Sequence, residues 1–147
     1  MRETIYVDTS ALAKWYLNEA RSDEVEKYIQ KHGPVAISEL TEVEMRCLLA
    51  RRRRAREIDS KIEAQVFAAF QEDIRQQFLI RHPLPIGLTA GAVNLLGLLH
   101  DIPLRTLDTL HLVIAKEIHA DVLATADRVM AAGGKALGFA VMRFGSW

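Results

Sequence analysis

Short apolar runs alternate with longer amphipathic stretches along this chain. The apolar runs predict strands at residues 4–7, 35–37, 104–106, 122–125 and 139–144. The amphipathic stretches predict helices at residues 11–17, 23–31, 39–54, 58–76, 90–100, 108–119 and 128–132. This alternation predicts βαβ units, and therefore an α/β fold with a mostly parallel sheet of four to five short strands and helices on both faces.

Glycine and proline mark the expected breaks between these elements. Gly33-Pro34 separates the second helix from the second strand. Residues 81–85, which contain two prolines, are predicted to form a loop, and Gly133-Gly134 is expected to end the last helix. The second strand is expected to end at Ser38, a favoured residue at a helix N-cap, where the third helix begins.

Length and charge narrow the class of protein. The chain has 147 residues, which fits a single domain spanning residues 1–147. Its nineteen basic and nineteen acidic side chains cancel, so any nucleic-acid partner must be bound by a local patch rather than by net charge. We expect a cytoplasmic protein without membrane contact, because no signal peptide or bilayer-spanning run is evident.

Cysteine content excludes two further kinds of site. The single cysteine, Cys47, leaves no partner for an internal disulfide, which fits a reducing compartment. The four-ligand cysteine and histidine patterns of structural zinc sites are missing as well.

Three aspartates follow predicted strands and open predicted helices. They are Asp8, Asp108 and Asp127. The carboxyl ends of parallel strands share one edge of a sheet, where ligands bind in open α/β folds. Aspartate is also a favoured N-cap, worth ~1 kcal/mol, so each of these residues alone has a capping explanation. Three at three such junctions favour a shared site.

A fourth acid, Glu44, lies within an apolar stripe of its helix. The stripe, at helical spacing, consists of Leu40, Val43, Cys47 and Leu48. A charge in a buried stripe needs a partner, which makes Glu44 a candidate for the same site. The alternative is a long side chain at the stripe's edge that reaches water.

Converging carboxylates repel one another unless a cation lies between them. Mg²⁺ and Mn²⁺ prefer oxygen ligands and usually keep several waters, a combination suited to metal-assisted attack on a phosphodiester. The P-loop and dinucleotide-binding glycine patterns are missing, and no Ser-His-Asp or Cys-His set is evident.

These residues resemble the PIN domain, and within it the VapC-type toxins of bacterial and archaeal toxin–antitoxin pairs. The matching segments extend over the chain in the family's order, at residues 5–12, 38–44, 107–112 and 124–127. The resemblance implies a three-layer α/β/α sandwich and a Mg²⁺- or Mn²⁺-dependent endoribonuclease. It places the catalytic and metal-binding acids at Asp8, Glu44, Asp108 and Asp127. Supporting hydroxyls fall at Thr9, Ser10 and Thr125.

The same resemblance implies partners. VapC-type toxins usually form homodimers that act on RNA and are silenced by a VapB-type antitoxin. The antitoxin's tail crosses the active groove and its other end binds operator DNA, so contact with DNA is expected only through the antitoxin. Two alternatives remain open: a PIN-domain nuclease of RNA maturation, and a non-catalytic module that binds RNA or a partner.

Two further features have more than one explanation. Six of the nineteen basic residues lie between residues 46 and 56. Arg46, Arg51, Arg52 and Arg54 are candidates to contact RNA or the antitoxin, or they form a solvated helix end. His111, one turn after Asp108, is expected to pack or to support the site rather than to act as a catalytic base.

Overall fold

Five parallel strands form the central sheet in residues 2–147, which a computed structural model describes. The strands are β1 (Ile5–Val7), β2 (Val35–Ser38), β3 (Leu79–His82), β4 (Val122–Thr125) and β5 (Ala140–Arg143). Their order is β3-β2-β1-β4-β5, and every neighbouring pair is parallel. The predicted α/β class is therefore confirmed, and β1 lies at the centre of the sheet.

Seven helices of the described residues cover the two faces of this sheet. They are α1 (Thr9–Tyr16), α2 (Ser22–His32), α3 (Glu39–Arg54), α4 (Ser60–Arg75), α5 (Leu88–Leu98), α6 (Thr106–Glu117) and α7 (Arg128–Ala136). Helices α1 to α4 contribute buried side chains to one core cluster, and α5 to α7 contribute them to the other. The result is three layers. No helix in residues 2–147 is long and apolar enough to cross a membrane.

The central strands β1, β2 and β4 are apolar except for a serine or threonine at the end of β2 and β4, because both of their faces are covered. Consecutive side chains of a strand point to opposite faces, and Ile5 and Val7 accordingly join one cluster whereas Tyr6 joins the other. All three residues of β1 are buried. A strand with two buried faces has no position that favours a polar side chain, so its first polar residue, Asp8, marks its end.

One predicted strand and one predicted loop are wrong. Residues 104–106 do not form a strand: Arg105 is the N-cap of α6, whose first turn is closed by a hydrogen bond from Arg105 N to Asp108 Oδ2 at 3.1 Å. Conversely, β3 extends into the predicted loop as far as His82. Only Leu79 of β3 is fully buried, so this edge strand lacks the apolar run that predicted the others.

The last helix continues past the two glycines that were expected to end it. Gly133 and Gly134 are buried inside α7. A Cβ atom at Gly133 would come within 2.8 Å of Leu112, and one at Gly134 within 2.5 Å of Leu123. These glycines allow close packing of α7 against α6 and the sheet, which is a long-range requirement rather than a local stop signal.

Candidate active site

Asp8 lies at the carboxyl end of the central strand and is buried, with 3% of its surface exposed. It caps α1, since Oδ1 accepts from Ala11 N at 3.0 Å. The same oxygen accepts from Ser10 Oγ at 2.7 Å, and Oδ2 accepts from Thr125 Oγ1 at 2.5 Å. The capping alternative is therefore real, but Asp8 also receives two side-chain donors that capping does not require.

Burial dominates the electrostatics of Asp8. Removal from water raises the pKa of Asp8 above its ordinary value, and hydrogen bonds from Thr125, Ser10 and Ala11 only partly oppose this rise. A carboxylate placed in this way is costly to ionise unless a cation approaches. The raised pKa is thus a physical sign of a functional position.

Glu44 enters the same region from α3. Its Oε1 accepts from Thr9 Oγ1 at 2.7 Å and contacts His111 Nε2. Burial raises the pKa of Glu44, but the hydrogen bonds from His111 and Thr9 outweigh it, so this pKa lies below its usual value. Glu44 and Asp8 are therefore shifted in opposite directions, because only Glu44 has a strong partner for its charge.

The predicted stripe of α3 lies only partly against the core: Leu40 and Leu48 pack at the edges of the two clusters, and none of its residues is fully buried. The buried residues of this helix are Thr41, Met45 and Leu49, whereas Val43 is 68% exposed. The helix is rotated so that the stripe with Glu44 lines an open cleft. The apolar pattern was real but belonged to the wall of a cavity, which a periodicity of 3.6 residues cannot distinguish from a core-facing side.

Asp108 and Asp127 come from the first turns of two other helices. Asp108 is 8% exposed and closes the first turn of α6. Asp127 caps α7, with Oδ1 accepting from Met130 N at 2.9 Å. Its own backbone N donates to Thr125 Oγ1 at 2.9 Å, so one threonine contacts both Asp8 and Asp127. Asp108 was predicted to follow a strand and does not, yet it lines the same cleft.

All four acids line a single cavity of about 370 Å³, the acidic cleft. Its remaining walls are polar, basic and apolar, and consist of Thr9, Ser10, Leu40, Val43, Cys47, Leu48, Arg51, Arg105, Leu107, His111 and Met130. Within residues 2–147, no three His, Cys, Asp or Glu side chains stand close enough to form a ready-made metal cage. The donor set is nevertheless suited to Mg²⁺, which is commonly held by one or two carboxylates, waters and substrate phosphate.

Arg105 is a cleft residue that the sequence analysis missed. Its Nε lies 3.6 Å from Asp108 Oδ2, and its Nη2 lies 3.5 Å from Asp127 Oδ2. The side chain is 77% exposed, so this cation can leave the acids without unpacking the core. Its position three residues before Asp108 was the available signal, since such residues share a helix face.

The arginine run of α3 is mostly committed to ion pairs. Arg46 and Arg53 pair with Glu63 at 3.2 and 3.0 Å, and Arg52 pairs with Glu19 at 2.9 Å. Only Arg51 of the run lines the acidic cleft. Arg54 is exposed on the last turn of the helix.

His111 belongs to a buried polar chain beneath the cleft. It is 2% exposed, and its Nδ1 lies 2.7 Å from Tyr6 Oη. Tyr6 is fully buried, and its Oη lies 3.0 Å from Ser38 Oγ. His111 thus links Tyr6 to Glu44 through its two ring nitrogens.

The sequence of this chain is similar to that of one known protein family. A model of the PIN domain matches residues 5–135. Ribonuclease VapC46 of Mycobacterium tuberculosis is 31% identical over 141 residues, which covers 94% of this chain and 95% of that protein.

Solved structures agree with this match at the level of the fold. VapC20 of Mycobacterium tuberculosis, described as a sarcin-ricin loop cleaving toxin, superposes with a TM-score of 0.70 at 19% identity, over 92% of this chain and 96% of that one. VapBC2 from Rickettsia felis, solved with a DNA fragment from its promoter, gives a TM-score of 0.67 at 16% identity, over 95% and 98%.

Proposed function

The chain belongs to the PIN-domain family and, within it, to the family of the VapC ribonucleases, and from this premise we propose that it is a metal-dependent endoribonuclease that acts as the toxin of a toxin–antitoxin pair. One observation carries the proposal: Asp8, Glu44, Asp108 and Asp127, contributed by different elements, line one cleft.

Mg²⁺ or Mn²⁺ is the proposed cofactor, and these four acids are the proposed ligands. A divalent cation bound there lowers the pKa of a water and stabilises charge on the scissile phosphate. The raised pKa of Asp8 supports this assignment, since a buried carboxyl whose burial outweighs its stabilising partners gains most from a cation.

The hydroxyl residues are proposed to hold the acids in place. Ser10 and Thr125 donate to the two oxygens of Asp8, and Thr9 donates to Glu44. Each carboxylate is thereby restricted to one orientation before substrate arrives. Partners of this kind typically contribute about 10–100-fold to metal affinity or activity.

Arg51 and Arg105 are the proposed contacts for RNA phosphates, because both are cationic and line the acidic cleft. Arg46 and Arg52 are held by acids, so we assign them chiefly to the packing of α3 against its neighbours. Arg54 remains a proposed contact for RNA or the antitoxin from the exposed end of α3.

The proposed protein partner is a VapB-type antitoxin, with DNA bound only through that antitoxin. The apolar wall of the acidic cleft, which includes the exposed Val43, suits a peptide that covers the acids. A homodimer and a cytoplasmic location are proposed on family membership.

RNA cleavage by purified protein tests the proposal. We expect Mn²⁺-dependent cleavage of cellular RNA, growth arrest on expression, and loss of both in Asp8→Asn. Asp59→Asn is the matched control, because Asp59 caps α4 through Ile62 N at 2.8 Å and lies outside the acidic cleft. Wild-type protein that neither cuts RNA with Mn²⁺ nor slows growth contradicts the proposal.

A non-catalytic binding module predicts a different pattern in the same experiment. Such a module binds RNA or a partner equally well with and without Asp8→Asn. A nuclease of RNA maturation cuts RNA but does not arrest growth when it is expressed without an antitoxin.

A further inference from the structure

We propose that Tyr6 and His111 form a positioning pair that orients Glu44 toward the metal, with Tyr6 holding the imidazole ring of His111 in place. This inference rests on the proposed function, since it concerns one of the proposed metal ligands. It assigns a task to two buried residues that the metal chemistry itself does not use.

The pair and Glu44 lie on three different elements of the fold. Tyr6 lies in the middle of β1, His111 lies on α6, and Glu44 lies on α3. The Tyr6 Oη to His111 Nδ1 distance is 2.7 Å, and His111 Nε2 contacts Glu44 Oε1. Tyr6 and His111 are 0% and 2% exposed, so water does not compete for these hydrogen bonds.

The chemistry of the two ends determines the direction of the hydrogen bonds. A carboxylate only accepts, so His111 Nε2 must carry the proton that faces Glu44. In a neutral imidazole, Nδ1 is then an acceptor, and the phenol of Tyr6 donates to it. Ser38 Oγ, 3.0 Å from Tyr6 Oη, can in turn donate to the phenol oxygen. Each hydroxyl and imidazole proton then points along one chain toward Glu44.

The contacts on Glu44 use only one of its oxygens. His111 Nε2 and Thr9 Oγ1 both bind Oε1. The other oxygen, Oε2, is not committed to either of them. Two donors that approach one oxygen from α6 and α1 restrict rotation of the carboxylate, as expected of a ligand held before the metal binds.

Loss of the Tyr6 hydroxyl has a specific consequence for this geometry. Without that donor, the buried Nδ1 lone pair has no partner, and the imidazole ring is no longer held in the orientation that aims Nε2 at Glu44. Glu44 then loses part of its fixed orientation. A purely packing role of Tyr6 has no such effect, because the phenyl ring still fills the same space.

The tautomer is tested directly on metal-free wild-type protein. Long-range ¹H–¹⁵N correlation spectra of the imidazole are expected to show His111 protonated at Nε2, with Nδ1 as the acceptor. In Tyr6→Phe we expect Nε2 to keep its proton and the ¹⁵N resonance of Nδ1 to move to that of an imidazole nitrogen without a hydrogen-bond donor. A wild-type His111 protonated at Nδ1 overturns the inference, and this measurement requires neither metal nor RNA.

Metal affinity, measured by calorimetry with Mn²⁺ alone, tests the positioning. We expect Tyr6→Phe to bind Mn²⁺ about 10-fold more weakly and His111→Asn about 10–100-fold more weakly, the range for lost partners of metal ligands. His111→Gln, whose amide N can replace Nε2 as the donor to Glu44, should retain most of the affinity. In the His111→Gln background, Tyr6→Phe should cost no further Mn²⁺ affinity, because the imidazole ring that Tyr6 holds is no longer present.

Tyr16→Phe is the matched control for removal of a tyrosine hydroxyl. Tyr16 Oη donates to Asp73 Oδ2 at 2.5 Å away from the acidic cleft, so this variant should lose stability and keep Mn²⁺ affinity. Tyr6→Phe that behaves in the same way overturns the inference and leaves the proposed function intact. Wild-type protein that binds no Mn²⁺ overturns both.

Discussion

Thr125 donates a hydrogen bond of 2.5 Å to Asp8 from the end of the neighbouring strand. The register of β1 and β4, which pairs Val7 with Ala124, brings the two residues side by side. Thr125 Oγ1 also accepts from the backbone N of Asp127. One hydroxyl therefore sets the positions of two of the four acids, and the parallel pairing of the strands makes this possible.

Thr125→Val should lower activity about 10–100-fold, the usual effect of removing a partner of a metal ligand. Valine has nearly the same shape, so the change leaves Asp127 N and Asp8 without their buried partner, at a cost of about 1–3 kcal/mol in the free energy of unfolding. Thr125→Ser, which keeps the hydroxyl, is the control and should retain most activity. Cleavage rates and urea unfolding measure the two effects, and wild-type rates in Thr125→Val contradict the assignment.

Asp8→Asn should lower the cleavage rate more than about 100-fold, which exceeds the effect expected for a residue that only supports a metal ligand. The same change should not destabilise the metal-free protein at neutral pH. The pKa of folded Asp8 is raised by burial, so the folded state holds this proton to a higher pH than the unfolded chain. The free energy of unfolding of metal-free wild type therefore declines as the pH rises from the ordinary aspartate pKa through the raised one.

The asparagine variant lacks this titration, so its stability should decline less over the same pH interval. Thermal unfolding in EDTA at a series of pH values measures the difference between the two proteins. A mere cap predicts something else: Asp8→Ala should cost stability, Asp8→Asn almost none, and neither should affect catalysis.

Divalent cations should stabilise the wild-type protein. Binding to the folded state alone raises the free energy of unfolding by about 2.7 kcal/mol when the metal concentration is 100 times the Kd. The melting temperature should therefore rise with millimolar Mg²⁺ or Mn²⁺, and the rise should vanish in Asp8→Asn but persist in Asp59→Asn. An unchanged wild-type melting temperature counts against a metal site in the acidic cleft.

Arg105→Ala should change metal binding and RNA cleavage in opposite directions. Arg105 lies within 3.6 Å of Asp108 and 3.5 Å of Asp127, where it competes with a metal. An exposed ion pair is worth at most about 1 kcal/mol, so its removal should strengthen Mn²⁺ affinity by up to about fivefold. Loss of a phosphate contact should raise KM for RNA and reduce the salt dependence of binding.

The control for Arg105 is Arg75→Ala, which removes an exposed arginine paired with Glu72 and lying outside the acidic cleft. It should alter neither Mn²⁺ affinity nor KM. A weaker Mn²⁺ affinity in Arg105→Ala shows instead that the arginine holds the acids in a binding geometry.

The local pattern predicted most of the elements well. Helix α3 spans Glu39–Arg54 as expected, because a serine cap precedes it and the helical spacing of its apolar residues extends over several turns. The predictions failed where the decisive contact was distant. β3 is an edge strand without an apolar run. Gly133 lies inside a helix, where glycine is required because a Cβ atom would collide with Leu112.

The sequence by itself determined which acids were available and which elements carry them. Asp8 and Asp127 end apolar strands and open helices, and such junctions are encoded by a few neighbouring residues. The likeness of these segments to the PIN domain then indicated the chemistry. Only the tertiary structure decided which side chains touch the acids. Thr125 and Asp8 are 117 positions apart, and Tyr6 and His111 are 105 apart. Their contacts depend on strand register and helix rotation, which arise from packing of the whole sheet rather than from local pattern.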